Sequence, residues 1–172
     1  MKHVNSIDVA KIGIEQAKFI YDGAVSVFRE YRMSIEKFNE KADKLFSYWF
    51  GIGNAVLGMF LVKPETINPY KHLFIPALFS IALISGIYIS FFLYSKKEFI
   101  VHQKPDDILA KNALLPLNEF YIFQAIEIQK YKIPFTEIEL KKKKTGLKLM
   151  SWISNSACVY MFFYLYLKHF KT

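Results

Sequence analysis

The sequence predicts an all-α integral membrane protein, and the prediction follows from its composition and from the spacing of its apolar residues. Hydrophobic residues make up 53% of the 172-residue chain, yet the formal net charge is +8. The apolar residues concentrate in three uncharged runs, and the charged residues lie between them. A helix needs roughly 20 apolar residues to cross the hydrocarbon core of a bilayer. Each run is therefore interpreted as a membrane-spanning helix.

The three runs cover residues 45–62, 73–94 and 149–167. A short loop stiffened by two prolines joins the first two runs, so residues 45–94 are predicted to form a transmembrane helical hairpin. Residues 149–167 are predicted to form a third, C-terminal transmembrane helix. Trp49 and Trp152 lie near span ends, where amphipathic rings favour the membrane interface. The alternative for each run is a buried helix of a soluble bundle.

The basic residues predict the orientation of these spans. Most of the 23 lysine and arginine residues lie in residues 1–44 and 95–148, and few lie in residues 63–72 or after residue 167. Segments rich in lysine and arginine stay on the cytoplasmic side of a membrane. We therefore expect the N-terminus and residues 95–148 in the cytoplasm and the C-terminus outside.

Residues 1–44 are predicted to form a long amphipathic cytoplasmic helix. Apolar residues recur there at alternating spacings of three and four, which is a heptad pattern. We call this row the seam, and it comprises Ile7, Ala10, Ile14, Ala17, Tyr21, Ala24, Phe28, Tyr31, Ile35, Phe38, Ala42 and Leu45. A seam of this length needs a partner. That partner is either a cytoplasmic helix of the same chain or the same helix in neighbouring subunits.

A second row of residues continues along the first span. It comprises Ser47, Gly51, Asn54 and Gly58, and we call it the polar stripe. Small residues allow close helix packing, and an asparagine inside a membrane is costly unless it is hydrogen-bonded or hydrated. The polar stripe is thus either a helix-packing surface or the lining of an oligomeric pore. The third run carries a similar row in Ser151, Asn155 and Cys158.

Residues 95–148 are predicted to form a cytoplasmic helical segment. A helix is expected to begin near residue 105 and to break at Pro116, and a second helix to run from about residue 118 to residue 131. Ile133 and Pro134 are expected to end it. Thr136 and Glu139 have the spacing of a capping box, which predicts a new helix that continues into the third span.

A lysine cluster precedes the third span and comprises Lys141, Lys142, Lys143, Lys144 and Lys148. Consecutive residues are about 100° apart on a helix, so four lysines in a row surround it. They are expected to form a collar that contacts lipid head groups. In an oligomer, several collars would instead form a positive ring that could hold an anionic nucleotide or oligonucleotide. Gly146 is expected to let the helix bend at the membrane surface.

The sequence contains no pattern typical of an enzyme. It lacks a nucleophile–histidine–acid set, a phosphate-binding loop and a metal-binding motif. The four histidines are scattered along the chain, and Cys158 is the single cysteine. We therefore expect no catalytic residue, no metal site and no cofactor.

The order of these elements resembles the SLATT group of small bacterial membrane effectors. The resemblance covers roughly residues 10–132 and is one of architecture: an amphipathic helix, a two-span hairpin and a polar helical segment. The third span is an addition to that pattern. The resemblance implies an oligomeric channel in the bacterial inner membrane, which depolarises or permeabilises a phage-infected cell. It also implies a partner nucleotidyltransferase that makes the controlling nucleotide.

Two functional hypotheses follow. The first is a homo-oligomeric membrane channel with the polar stripe facing the pore and an anionic regulator on its basic cytoplasmic side. The second is a non-conducting membrane adaptor that anchors a cytoplasmic partner through the seam.

Overall fold

The described part of the chain is almost entirely helical. The structure, a computed structural model, describes residues 11–62, 71–93 and 115–170. Helix α1 comprises Ile14–Val62, and α2 comprises Lys71–Tyr88 and continues as a π-helical turn over Ile89–Leu93. Helix α3 comprises Leu117–Glu127, a second π-helical turn covers Ile128–Lys132, and α4 comprises Ile133–Phe170. The all-α prediction is confirmed for these residues.

Helix α1 is one uninterrupted helix of 49 residues. The backbone N–H of Ala17 donates to the carbonyl oxygen of Gly13 at 3.0 Å, which closes its first turn. This helix contains the described part of the predicted cytoplasmic helix of residues 1–44 and also the predicted first span. It does not end between them at position 44. The helix predicted to begin near residue 105 lies outside the described residues, as do Ile7 and Ala10 of the seam.

The helix predicted from about residue 118 is confirmed and begins at Leu117, directly after Pro116, whereas the predicted break or kink of a preceding helix at Pro116 stays a prediction because that helix lies outside the described residues. The predicted helix end at Ile133 and Pro134 is wrong, because α3, the π-helical turn and α4 follow one another without a break. Pro134 directly follows the π-helical turn, where the regular i to i−4 hydrogen bonds are already interrupted and a missing N–H costs less. The capping box is also wrong. Thr136 lies within α4, and its hydroxyl donates to the carbonyl oxygen of Lys132 at 2.6 Å instead of accepting from an N–H.

The chain divides into two compact units. The first unit comprises Met1–Ile35 and Glu98–Leu140. In its described part, Ala24 of α1 packs with Ala125 and Ile128, and the Tyr21 and Tyr121 rings lie 5.5 Å apart between centroids. The Asn118 side-chain amide donates to the carbonyl oxygen of Ile12 at 3.0 Å. The seam thus finds a partner within its own chain here, although Ile14 remains exposed.

The second unit comprises Glu36–Lys97 and Lys141–Thr172. Its described part is a three-helix bundle of α1 from residue 36, α2 with its π-helical turn, and α4 from residue 141. Its core consists of Ala42, Trp49, Ile84, Tyr88, Phe92, Met150 and Ala157. Aromatic residues fill the space between helices, and Phe46 and Tyr88 stack with ring centroids 4.4 Å apart.

Helices α1 and α2 are antiparallel in this unit. The Tyr88 hydroxyl donates to Asp43 Oδ1, near the end of α2, and Gly53 of α1 lies against Ile81, earlier in α2. This antiparallel pairing agrees with the helix directions of the predicted hairpin.

Helices α2 and α4 are also antiparallel. The Lys143 Nζ lies 5.1 Å from the centre of the Phe92 ring, and the His72 and Tyr164 rings are 6.1 Å apart. Helix α4 therefore runs parallel to α1. Lys44 of α1, Leu93 of α2 and the lysine cluster of α4 thus lie toward the same end of the bundle.

One described helical stretch, His72–Leu93, is long and apolar enough to cross a membrane, with a mean hydropathy of 2.1. The first and third runs contain Asn54 and the polar residues Ser151–Ser156, which lower their hydropathy. Membrane-spanning by these two helices stays a prediction.

Candidate functional site

The polar stripe lies on the opposite side of α1 from the packed face. Ala42, Trp49 and Gly53 are buried against the other helices of the second unit. At about 100° per residue, Asn54 and Gly58 point roughly 120° and roughly 160° away from the middle of that packed face. The stripe is therefore directed out of the three-helix bundle.

All four residues of the polar stripe, Ser47, Gly51, Asn54 and Gly58, are exposed in this chain. A Cβ added at Gly51 or Gly58 would meet nothing within 4 Å apart from its own helix backbone. Packing within the chain explains the glycine at position 53, because a Cβ added there would lie 3.1 Å from Ile81. It does not explain the glycines of the polar stripe. The stripe is available to water, lipid or another subunit.

Large apolar side chains flank the polar stripe. Phe50, Leu57 and Leu61 are exposed along one side of it, and Tyr48 and Met59 along the other. These flanks suit lipid or a neighbouring subunit, because exposed apolar surface of this extent is costly in water. The polar stripe itself suits a close helix contact or a hydrated surface better than it suits lipid.

Two pairs of polar side chains of the second unit are hydrogen-bonded inside the bundle. The Trp49 indole N–H donates to Ser154 Oγ at 2.9 Å, and both side chains are buried. Tyr88 donates to Asp43 at 2.5 Å. The Trp49 ring is thus in the core of this unit, and its position near a membrane interface stays a prediction. Sequence reasoning missed these pairs, since the partners are 105 and 45 positions apart.

The two exposed asparagines differ in depth. Asn155 of α4 follows the buried Ser154, which is level with Trp49. Asn54 lies five residues beyond Trp49 on the parallel helix α1, about 6 Å further along the bundle than Asn155. Asn54 is near the middle of residues 45–62, whereas Asn155 is in the first part of residues 149–167.

The lysine cluster does not form the complete exposed ring that the sequence predicts. Lys141, Lys142, Lys144 and Lys148 are exposed, but Lys143 is only 1% exposed. Lys143 is directed into the core because it shares the face of α4 that carries Met150, and its ammonium lies over the Phe92 ring. Contact of the four exposed lysines with an anion or a head group stays a prediction.

Gly146 lies inside α4, which continues through it, and it makes a close contact that the sequence did not predict. An added Cβ would lie 2.7 Å from Phe91 Cβ and 3.0 Å from Phe92 Cε2. Gly146 therefore allows α4 to approach the π-helical turn of α2 closely. The only sign of this contact in the sequence was a glycine three residues after Lys143, which the structure shows to be buried.

Within residues 11–62, 71–93 and 115–170, no three histidine, cysteine, aspartate or glutamate side chains come together as metal ligands would. Comparison with protein-family models, with curated proteins and with solved structures found no match.

Proposed function

We propose that this chain is the subunit of a homo-oligomeric membrane channel or pore, with the polar stripe of α1 facing the conduction pathway. Its role is that of an effector in bacterial anti-phage defence, which permeabilises or depolarises the inner membrane. This role rests on the architectural resemblance to SLATT effectors. The pore rests on the residues described next.

The observation that supports the pore is the exposure of Asn54 on the side of α1 opposite its packed face. An amide facing hydrocarbon at mid-membrane depth is costly, because its donors and acceptors lose water without gaining partners. A central water-filled pathway hydrates Asn54 and Ser47. The exposed apolar flanks of the stripe then pack against neighbouring subunits.

The length of the polar stripe fits this proposal. From Ser47 to Gly58 the helix rises about 17 Å, which is more than half of a hydrocarbon core of about 30 Å. Gly51 and Gly58 leave room beside Asn54, because they place no side chain on that face. A ring of such helices has a narrow polar lining without charged groups.

Ion leak from liposomes tests the channel. Purified chain in vesicles is expected to release a trapped ion, and Asn54→Leu is expected to lower the conductance at least tenfold by dehydrating the pathway. Asn155→Leu is the matched control, since Asn155 is also exposed but lies on α4 and nearer the bundle end. Absence of ion leak from vesicles that contain the wild-type chain, with or without added nucleotide, would contradict the proposal.

Control by an anionic nucleotide or oligonucleotide, made by a partner nucleotidyltransferase, is the regulatory part of the proposal. The basic character of residues 1–44 and 95–148 supports it, because positive charge attracts polyanions without sequence selectivity. Leak measured with and without a short oligonucleotide tests it. A change that persists at high salt would argue against binding by charge alone.

A non-conducting membrane adaptor is the second candidate. The first unit presents an open apolar groove, lined by Ile12, Glu15, Gln16, Phe19 and Ile20, and Phe19 is 80% exposed. Such a patch suits a protein partner. In an adaptor, Phe19→Ser should abolish the cellular phenotype while Asn54→Leu leaves it intact. The opposite pair of results favours the channel.

A further inference from the structure

The second unit contains a basic face that has a defined position on α4. Lys141, Lys144 and Lys148 lie within roughly 60° of one another around the helix axis, and all are exposed. Lys143 and Met150, which are buried, lie on the other side. The sequence predicted a ring of lysines around the helix, whereas the structure places three of them on one exposed face of α4.

An exposed tryptophan continues this basic face. Trp152 follows Lys148 by one helical turn and is 67% exposed, in contrast to Trp49, which is fully buried. Tryptophan rings favour the boundary between head groups and acyl chains. Lysines one and two turns before such a ring lie at the depth of lipid phosphates, because a helical turn rises about 5.4 Å.

Beyond Trp152 the same face of α4 is apolar and exposed. Val159, Phe162 and Tyr166 follow at spacings of three and four, and each is about half exposed or more. Asn155 lies between them and Trp152, within reach of lipid ester carbonyls. The order along the face is thus basic, amphipathic, then apolar, which matches the order of groups in a phospholipid leaflet.

We propose that this face of α4 binds an anionic phospholipid, with the phosphate held by Lys144 and Lys148 beside Lys141 and the acyl chains lying along Trp152 and Phe162. The proposal rests on the membrane location in the proposed function, but not on conduction. It assigns these lysines to lipid and leaves nucleotide control to other basic residues. Charge complementarity selects phosphatidylglycerol over zwitterionic phosphatidylcholine.

Trp152 provides a local probe of this lipid, because Trp49, the other of the two tryptophans, is buried. The full chain is reconstituted in mixed phosphatidylcholine and phosphatidylglycerol vesicles, in which one lipid carries bromine on its acyl chains. Bromine quenches tryptophan fluorescence on contact. Brominated phosphatidylglycerol is expected to quench more strongly than brominated phosphatidylcholine at the same mole fraction. Trp152→Phe should remove the quenched component and so identify the probe.

The lipid preference is then measured in the Lys144→Gln/Lys148→Gln double variant. Each lysine removed is expected to lower the preference for phosphatidylglycerol by roughly fivefold. Lys37→Gln/Lys41→Gln is the matched control on α1, where two exposed lysines are four residues apart, and it should keep the wild-type preference. An equal preference in both double variants, or no preference in wild type, overturns the proposal.

Two parallel measurements separate this proposal from its alternatives. If the Lys144→Gln/Lys148→Gln variant loses binding of a short oligonucleotide and keeps its lipid preference, the face binds nucleic acid and the lipid proposal is wrong. Ion leak is recorded from the same vesicles. Leak without lipid preference overturns the lipid face alone, and lipid preference without leak overturns the channel alone. Absence of quenching by either lipid, together with absence of leak, contradicts both.

Discussion

Gly146 determines how closely α4 approaches the end of α2. A methyl group at this position would lie 2.7 Å from Phe91 Cβ, which is attached directly to the backbone and has no freedom to move aside. We therefore expect Gly146→Ala to destabilise the protein by about 1–3 kcal/mol, because overpacking outweighs the helix propensity gained. Thermal unfolding of the full chain in detergent, followed by circular dichroism, measures the change.

Gly86→Ala is the control for this substitution. Gly86 lies in α2, and an added Cβ there would meet nothing within 4 Å apart from its own helix backbone. Only helix propensity changes, so the stability should rise by up to about 1 kcal/mol. If Gly146→Ala and Gly86→Ala shift the unfolding temperature in the same direction, close packing at Gly146 is not limiting.

Lys143 differs from its neighbours in what its side chain contacts. Its stem and ammonium are buried in the second unit against Phe92, whereas Lys142 is exposed. Lys143→Ala should lower the free energy of unfolding by about 1–3 kcal/mol, because it removes buried contacts and a cation–π interaction. Lys142→Ala should change it by less than about 0.5 kcal/mol. Comparable losses, measured by denaturant titration, would place both lysines in the same environment.

At the scale of elements, the seam of α1 meets helices of its own chain. Ala17, Ala24 and Ile35 are buried, and Tyr21 and Phe28 are half-buried beside α3 and the π-helical turn that follows it. The heptad pattern predicted which residues of α1 are buried, because the 3.6-residue period of a helix leaves few alternatives. It left the partner open, since the same pattern serves an intramolecular or an intermolecular contact.

Cysteine cross-linking tests this intramolecular pairing. In a Cys158→Ser background, Ala24→Cys combined with Ala125→Cys should cross-link within one chain, because both positions are in the same buried cluster. On a denaturing gel the product should migrate as a monomer with altered mobility. Ser26→Cys with Ala125→Cys is the control, since Ser26 is exposed on α1.

A dimer band with Ala24→Cys alone would contradict the intramolecular pairing. It would show that the seam also meets its copy in a neighbouring subunit. Such a result would place the seam at an interface of the oligomer and not in the core of one chain.

Element ends were harder to predict than element types. Pro116 directly precedes the start of α3, whereas Pro134 lies within a continuous helical stretch, although both residues are proline. The difference is positional: Pro134 falls in the first turn of α4 after a π-helical turn, where its missing N–H leaves little unsatisfied. Local sequence does not reveal that turn. The spacing of Thr136 and Glu139 wrongly predicted a helix start for the same reason, because both residues lie inside a helical stretch that begins earlier.

At the scale of the whole molecule, the directions of the helices in the second unit give a testable topology. Since α1 and α4 are parallel, a bundle that crosses the membrane places residue 142 and residue 168 on opposite sides. In a Cys158→Ser background, Lys168→Cys should react with a membrane-impermeant maleimide added to intact spheroplasts. Lys142→Cys should react only after the membrane is permeabilised.

Equal labelling of both positions in intact spheroplasts would contradict a third span. Labelling of neither position would place both ends of α4 inside and leave His72–Leu93 as the candidate span. Gel shift with a large maleimide quantifies each fraction.

The sequence by itself determined the helical class, the buried row of α1, and the separation of charged segments from apolar runs. These follow from periodicity and charge, which act locally along a helix. Only the tertiary structure decided that the polar stripe is directed outward, that Trp49 and Lys143 are directed inward, and that Gly146 lies against Phe91. Those outcomes depend on which helix packs on which face. Such contacts join residues far apart in the chain, and the spacing of residues within one helix carries no information about them.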